Sequence, residues 1–132
     1  MRRVYLDSCM VIYLLENTGS FSVAAKQFLV KNSDAILCVS PLVRMEVLVK
    51  PLRDAASALV ADYEDFIAAQ NWLAIDDGIV ASALQLRVKH GLKTPDALHL
   101  ATAMHYGCNE FWTNDDRLNK VATDLAVNVF SR

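Results

Sequence analysis

Val4-Tyr5-Leu6-Asp7-Ser8 sets three apolar residues directly against a carboxylate and a hydroxyl. A short, continuous apolar run that ends this abruptly predicts a strand buried on both faces. Runs of the same kind recur at Ala35-Ile36-Leu37-Cys38-Val39, Trp72-Leu73-Ala74-Ile75, Phe111-Trp112-Thr113 and Ala126 to Phe130. Helical stretches fill the intervals. One runs from Cys9 to about Glu16, and a second from Ser20 or Ser22 to Val30, turning Phe21, Ala24, Ala25, Phe28 and Leu29 toward a core. Ser40-Pro41, a cap followed by proline at the first helical position, starts a third that runs from Leu42 to about Lys50 and stops before Pro51. Others span about Leu52 to Gln70, Asp76-Asp77 to His90-Gly91, Thr94-Pro95 to about Tyr106 closed by Gly107, and Asp115 or Asp116 to Val121. Thr94-Pro95 repeats the cap-plus-proline device. Continuously apolar strands alternating with helices predict an α/β, three-layer domain, its central, mostly parallel sheet of four to five strands flanked by helices.

The 132 residues are the size of one domain, and no linker, repeat or low-complexity tract divides 1–132. Hydrophobic residues at 54% against charged residues at 21% support a packed core and exclude collagen-like and disordered classes. Cys9, Cys38 and Cys108 are odd in number and lack CxxC spacing, so neither a zinc ribbon nor a closed disulfide set is expected. Asp7 interrupts the N-terminal apolar run too early for a signal segment, and no stretch nears the ~18–20 apolar residues of a membrane span. A reduced, cytoplasmic protein with no membrane partner is expected. The formal charge of −2 gives no hint of a polyanionic ligand.

In parallel α/β sheets ligands bind beyond the carboxyl ends of the strands. Asp7 directly follows the first predicted strand and Asp115 closely follows the fourth. Asp96 lies in the first turn of the Thr94-Pro95 helix, and Glu46 in the second turn of the helix leaving strand two. With the strands parallel, these four carboxylates face one edge. Asp7 and Asp115 also suit helix caps, and Asp96 suits a helix N-terminus. Glu46 has apolar one-turn neighbours in Leu42, Val43 and Val49, and Arg44 is turned away from it. An ionised acid so placed needs a cation or a metal, and a metal is the expected partner. Carboxylates without a His or Cys set form a hard-oxygen site, suited to Mg²⁺, or Mn²⁺ in its place, rather than zinc. Such sites promote hydrolysis of phosphoesters. GxGxxG, GxxxxGK[ST] and HExxH are absent.

Tyr5-Leu6-Asp7-Ser8, Ser40-Pro41-Leu42-Val43-Arg44-Met45-Glu46-Val47, Thr94-Pro95-Asp96-Ala97-Leu98-His99-Leu100-Ala101-Thr102-Ala103 and Phe111-Trp112-Thr113-Asn114-Asp115 resemble, in order and spacing, the motifs of a PIN domain. At this length the chain resembles the VapC-type toxins of toxin–antitoxin pairs. The resemblance implies a Mg²⁺-dependent endoribonuclease acting on RNA, a homodimer, and a small VapB-type antitoxin as partner. The family's four acidic positions fall on Asp7, Glu46, Asp96 and Asp115, and its hydroxyl position on Thr113, which would support a carboxylate or the attacking water. Cys9 departs from the small or amide residue common in the first motif, and Asp116 beside Asp115 leaves two acids at the fourth position. The Thr-x-Asp spacing favours Asp115.

His99, one turn after Asp96, reads as a core histidine or one supporting the acids rather than as a general base. Lys89, His90, Lys93, Arg117 and Lys120 are either a basic rim for RNA phosphates or solvated helix ends. Phe111 and Trp112 read as core; Val47, Leu48 and Leu52 are candidates for contact with a partner. Two rival functions remain: a catalytically silent PIN-like module that binds RNA or protein, and a haloacid-dehalogenase-type phosphatase. The missing second aspartate after Asp7 weakens the latter. Setting the four clustered acids aside leaves eleven acids against thirteen cations elsewhere, a balance of +2, so the total charge is no argument against RNA.

Overall fold

A computed structural model describes residues 2–121 and 126–128. Its strands are β1 (Arg3–Leu6), β2 (Ile36–Val39), β3 (Asn71–Trp72), β4 (Glu110–Thr113) and β5 (Ala126–Asn128). Its helices are α1 (Ser8–Leu15), α2 (Ser20–Lys31), α3 (Pro41–Arg53), α4 (Ser57–Ala68), α5 (Asp77–His90), α6 (Thr94–His105) and α7 (Asp116–Val121). The five strands form one sheet in the order β3-β2-β1-β4-β5, and every pair is parallel. β1 is central, with Tyr5 opposite Cys38 on one side and Phe111 on the other.

Parallel crossovers are right-handed, so the connections that run outward from β1 to β3 carry α1–α4 on one face. Those running back through β4 to β5 carry α5–α7 on the other. The three-layer α/β reading of the sequence is the observed architecture. The chain changes direction between β1 and β4, which makes the gap beyond their carboxyl ends the topological switch point where such folds bind ligands. The Asp7 amide donates to the Trp112 carbonyl at 3.1 Å, continuing the β1–β4 ladder one residue past β1.

The core is built on the two central strands. Val4, Tyr5, Leu6, Phe111 and Trp112 are all fully buried, as apolar strands covered on both faces must be. Phe28 of α2 meets Trp112 edge-on at 4.8 Å between ring centroids, and Tyr5 stacks on Phe111 at 5.2 Å.

Several expected boundaries shift. Pro51 does not stop α3; it lies inside the last turn, and the break follows at Asp54–Ala56, where Ala55 takes a left-handed φ of +53°. The amide donors that close this turn are those of Asp54, Ala55 and Ala56, none of them prolines. The helix expected from Leu52 therefore begins at Ser57. The third strand is Asn71–Trp72 and shares only Trp72 with the expected run; Leu73 still donates to Val39, but Ala74 and Ile75 leave the ladder. At α6 the cap position is held by Lys93, which makes no side-chain cap bond, and Thr94 is already helical. Phe21 points outward onto Tyr13, with ring centroids 5.2 Å apart, instead of toward the core. Val47 and Leu48, expected as partner contacts, are buried, whereas Leu52 is exposed. Val129 and Phe130, the end of the last expected strand, lie outside the described residues.

Because β1 carries both the core and the edge that presents Asp7, truncating Leu6 should be costly. Leu6→Ala is expected to lower unfolding stability by about 2–5 kcal/mol in a denaturant titration. Val30→Ala, at a side chain 75% exposed, should stay within about 0.5 kcal/mol of the starting protein.

Candidate functional site

The strand ends and helix starts bring all four predicted acids to the carboxyl edge of the sheet, beside the switch point. Asp7 is both a helix cap and a member of the cluster. Its Oδ1 accepts from the Ser8 amide at 2.7 Å, and its Oδ2 accepts from the Thr113 hydroxyl at 2.7 Å. Thr113 is fully buried at the end of β4, and its Oγ1 also accepts from the Asp115 amide at 3.1 Å. One hydroxyl thus ties the carboxylate after β1 to the loop after β4.

Glu46 has an in-chain partner the sequence reading did not supply. His99 is that partner: its Nε2 lies 2.5 Å from Glu46 Oε1. Arg44, turned away as expected, forks onto Glu64 of α4 through Nε and Nη2, each at 2.8 Å. Burial opposes ionisation of Glu46. The hydrogen bond and charge of His99, with a hydrogen bond from Ser8, outweigh it and hold the carboxyl below its usual value. An ionised carboxylate only accepts, so the Nε2 proton donates to Glu46.

Behind the imidazole, Nδ1 lies 2.6 Å from the Tyr5 hydroxyl, which lies 2.8 Å from the hydroxyl of Ser40. Tyr5, Ser40 and His99 are all buried, and burial drives the Tyr5 phenol well above its ordinary range, so it stays protonated. Ser40 Oγ also accepts from the Val43 amide, the expected cap of α3. His99 is therefore a buried support for Glu46, and its Nε2 is 4.0 Å from Asp7 Oδ1. Sequence reasoning missed Tyr5 and Ser40 in this role. The available signal was a phenol inside a run otherwise destined for complete burial, which needs a hydrogen-bond partner.

Asp96 and Asp115 share a cation. Arg117 donates to Asp115 from Nε at 3.2 Å and Nη2 at 3.0 Å, and its Nη2 is 3.7 Å from Asp96 Oδ2. The Arg117 hydrogen bonds hold Asp115 below its usual value. Asp96 is raised, first by burial and then by the charges of Asp115 and Asp7, with Arg117 and His99 offsetting part of the effect. The side chain of Asp116 lies outside the described residues. Lys89, His90, Lys93 and Lys120 are exposed, and Lys93 acts on Asp115 through its charge.

The donor set of carboxylates and a hydroxyl suits a hard divalent ion in kind. Among the described residues, however, no three acids, histidines or cysteines stand together as a ready-made cluster for one. His99 engages Glu46, Arg117 forks onto Asp115 and lies within ion-pair distance of Asp96, and Thr113 and the Ser8 amide engage Asp7. An ion would find suitable oxygens after drawing some of them from these donors.

A family model described as PIN domain matches residues 4–124. Among solved structures, a toxin–antitoxin complex from Klebsiella pneumoniae superposes with a TM-score of 0.79 at 24% identity, covering 96% of this chain and 98% of that one. VapC20 from Mycobacterium tuberculosis, described as a sarcin–ricin loop cleaving toxin, gives a TM-score of 0.76 at 14% identity, covering 89% and 94%. FitAcB from Neisseria gonorrhoeae gives 0.71 at 16% identity, covering 98% and 99%. At these identities the likeness establishes the fold. No curated protein matches the chain significantly.

Asp96 pairs a raised pKa with a place among acids, so its ionised form costs stability in the metal-free protein. That cost is present above the folded pKa and is relieved as pH falls through it. Asp96→Asn should therefore melt higher than the starting protein in EDTA at pH 7. The advantage should shrink as pH falls through the folded pKa of Asp96. An equal or lower Tm at pH 7 contradicts this account.

Proposed function

This chain belongs to the PIN domain family, and from that premise we propose that it is a Mg²⁺-dependent endoribonuclease, the toxin of a cytoplasmic toxin–antitoxin pair. The observation that carries the reading is the linking of Asp7 to Asp115 through Thr113, of Glu46 to Asp7 through His99, and of Asp96 to Asp115 through Arg117, at the switch point of a PIN sheet. The folds shared with a toxin that cleaves RNA and with toxin–antitoxin complexes support it further. No helix among the described residues is long and apolar enough to cross a membrane.

In this reading Asp7, Glu46, Asp96 and Asp115 hold the divalent ion, and Mn²⁺ can replace Mg²⁺. The bound ion supplies Lewis-acid chemistry, acidifying water and offsetting charge on the scissile phosphodiester. The chain's own residues set the geometry. Thr113 fixes the rotamer of Asp7 by donating to Oδ2, leaving Oδ1 toward His99 and the cleft. His99 aims Glu46 by its Nε2 proton and is itself held by Tyr5. Lys89, His90 and Lys93 at the α5–α6 turn, with Lys120, supply positive charge for the phosphates of an RNA strand.

Two surfaces suit protein partners. On α5, Val80, Leu84 and Val88 form an exposed stripe at four-residue spacing, with Asp77 at one end and Arg87, Lys89 and His90 at the other. Two copies pairing antiparallel about Leu84 would bury the stripe and set each acidic end against a basic one, which suits a homodimer. On α3, Met45, Val49 and Leu52 form a second exposed stripe flanking Glu46, where a small antitoxin would also cover the mouth of the cleft.

RNA incubated with Mg²⁺ or Mn²⁺ should be cleaved by the starting protein, and Asp96→Asn should lose on the order of a hundredfold or more in rate. No cleavage of any RNA tried, or equal cleavage by the variant, leaves a binding module instead. Leu84→Glu should convert a dimer to a monomer in sedimentation while keeping its helical circular dichroism; an unchanged dimer removes α5 from the interface.

A further inference from the structure

We propose that Arg117 is a tethered stand-in for the divalent ion: its guanidinium holds Asp96 and Asp115 in the metal-free protein and must leave before both can turn to an ion, so this residue sets the metal affinity. The inference rests on the reading of the four acids as a metal site.

The geometry is that of a cation in a seat. Nε and Nη2 take both oxygens of Asp115, at 3.2 and 3.0 Å, in the fork-to-fork arrangement that only arginine offers a carboxylate. The same Nη2 reaches to 3.7 Å from Asp96, so one planar group offsets part of the charge of two acids that otherwise repel. A backbone bond from the Arg117 amide to Asp115 Oδ1, at 2.9 Å, anchors the residue beside the cleft whichever way its side chain lies. The guanidinium end is also free to go: the side chain is 64% exposed, and nothing buries it against the core. An exposed ion pair of this kind is weak enough for a divalent ion to displace. Once displaced, the guanidinium remains tethered two residues from Asp115, within a side chain's length of any phosphate bound there.

This differs from a general electrostatic effect. Lys93 also lowers Asp115 by its charge. If only the field matters, removing either cation should help the ion alike, and a lysine at 117 should behave as arginine does. If the seat matters, the fork is what competes.

The test is calorimetric titration of the full-length protein with Mn²⁺ alone, beside melting in EDTA. Arg117→Gln should bind Mn²⁺ roughly threefold to tenfold tighter. Its metal-free Tm should fall, and Mn²⁺ should raise that Tm by more than it raises the starting protein's. Arg117→Lys should fall between the two, and it carries the test if the Gln variant does not fold. Lys93→Gln should change little. Unchanged or weaker Mn²⁺ binding by Arg117→Gln overturns the inference while leaving the metal site standing. So does a Lys variant equal to the starting protein together with a Lys93→Gln variant equal to Arg117→Gln. Failure of every form to take up Mn²⁺ overturns both the inference and the metal reading beneath it.

Discussion

The buried chain of hydrogen bonds from Ser40 through Tyr5 and His99 to Glu46 is the constraint on which the site depends. It joins the end of β2, the centre of β1, the second turn of α6 and the second turn of α3. A buried imidazole or phenol left without a partner costs roughly 1–3 kcal/mol each, so these four elements settle where all the partners are met at once. Two proton arrangements satisfy it. A neutral ring accepts from Tyr5 at Nδ1, while an imidazolium donates there and Tyr5 donates on to Ser40. In both, Nε2 donates to Glu46, so the carboxylate is aimed at the cleft regardless of the charge on the ring.

The second constraint is the repulsion among the acids themselves. Each of the four meets a donor within the chain, but the donors differ in permanence. Thr113 and His99 are buried, whereas Arg117 is largely in water. Asp7 and Glu46 are consequently fixed by the core, and Asp96 and Asp115 are held by a contact that solvent weakens. The half of the cleft built on the core can act as a template, and the half neutralised by Arg117 can adapt.

Much of this was legible in the sequence because strands buried on both faces leave continuous apolar runs, and the first polar residue after each run marks the sheet edge. That rule located Asp7 and Asp115, and the helix starts located Glu46 and Asp96. It worked less well where local signals compete with tertiary ones. Pro51 was read as a stop, but a proline in the last turn loses only a bond the helix can forgo, and the break went to Ala55. Trp72-Leu73-Ala74-Ile75 has the composition of a strand, but an edge position gives it one neighbour, and the ladder ends early. Glu46 was correctly judged to need a partner, yet His99 is 53 residues away, and only the packing of α3 near α6 reveals it. The sequence leaves Arg117 as either a rim cation for phosphates or a solvated helix end, because the spacing alone does not reveal its pairing with Asp115. The bidentate contact exists because Asp115 precedes α7 rather than lying within it.

In the proposed reading a chain of net charge −2 can still meet RNA, because its charge is unevenly placed. The acids are confined to the sheet edge, and the cations nearest them, Lys93 and Arg117, belong to the segments that flank it. In that reading an RNA phosphate would be drawn by Lys89 and Lys93 at the α5–α6 turn, and entry to the acids would wait on a cation that neutralises them. In the metal-free protein Arg117 supplies part of that neutralisation, but it fills the space it neutralises. In the proposed reading a compact divalent ion would supply more charge in less volume, which would leave room for a phosphate at the same acids.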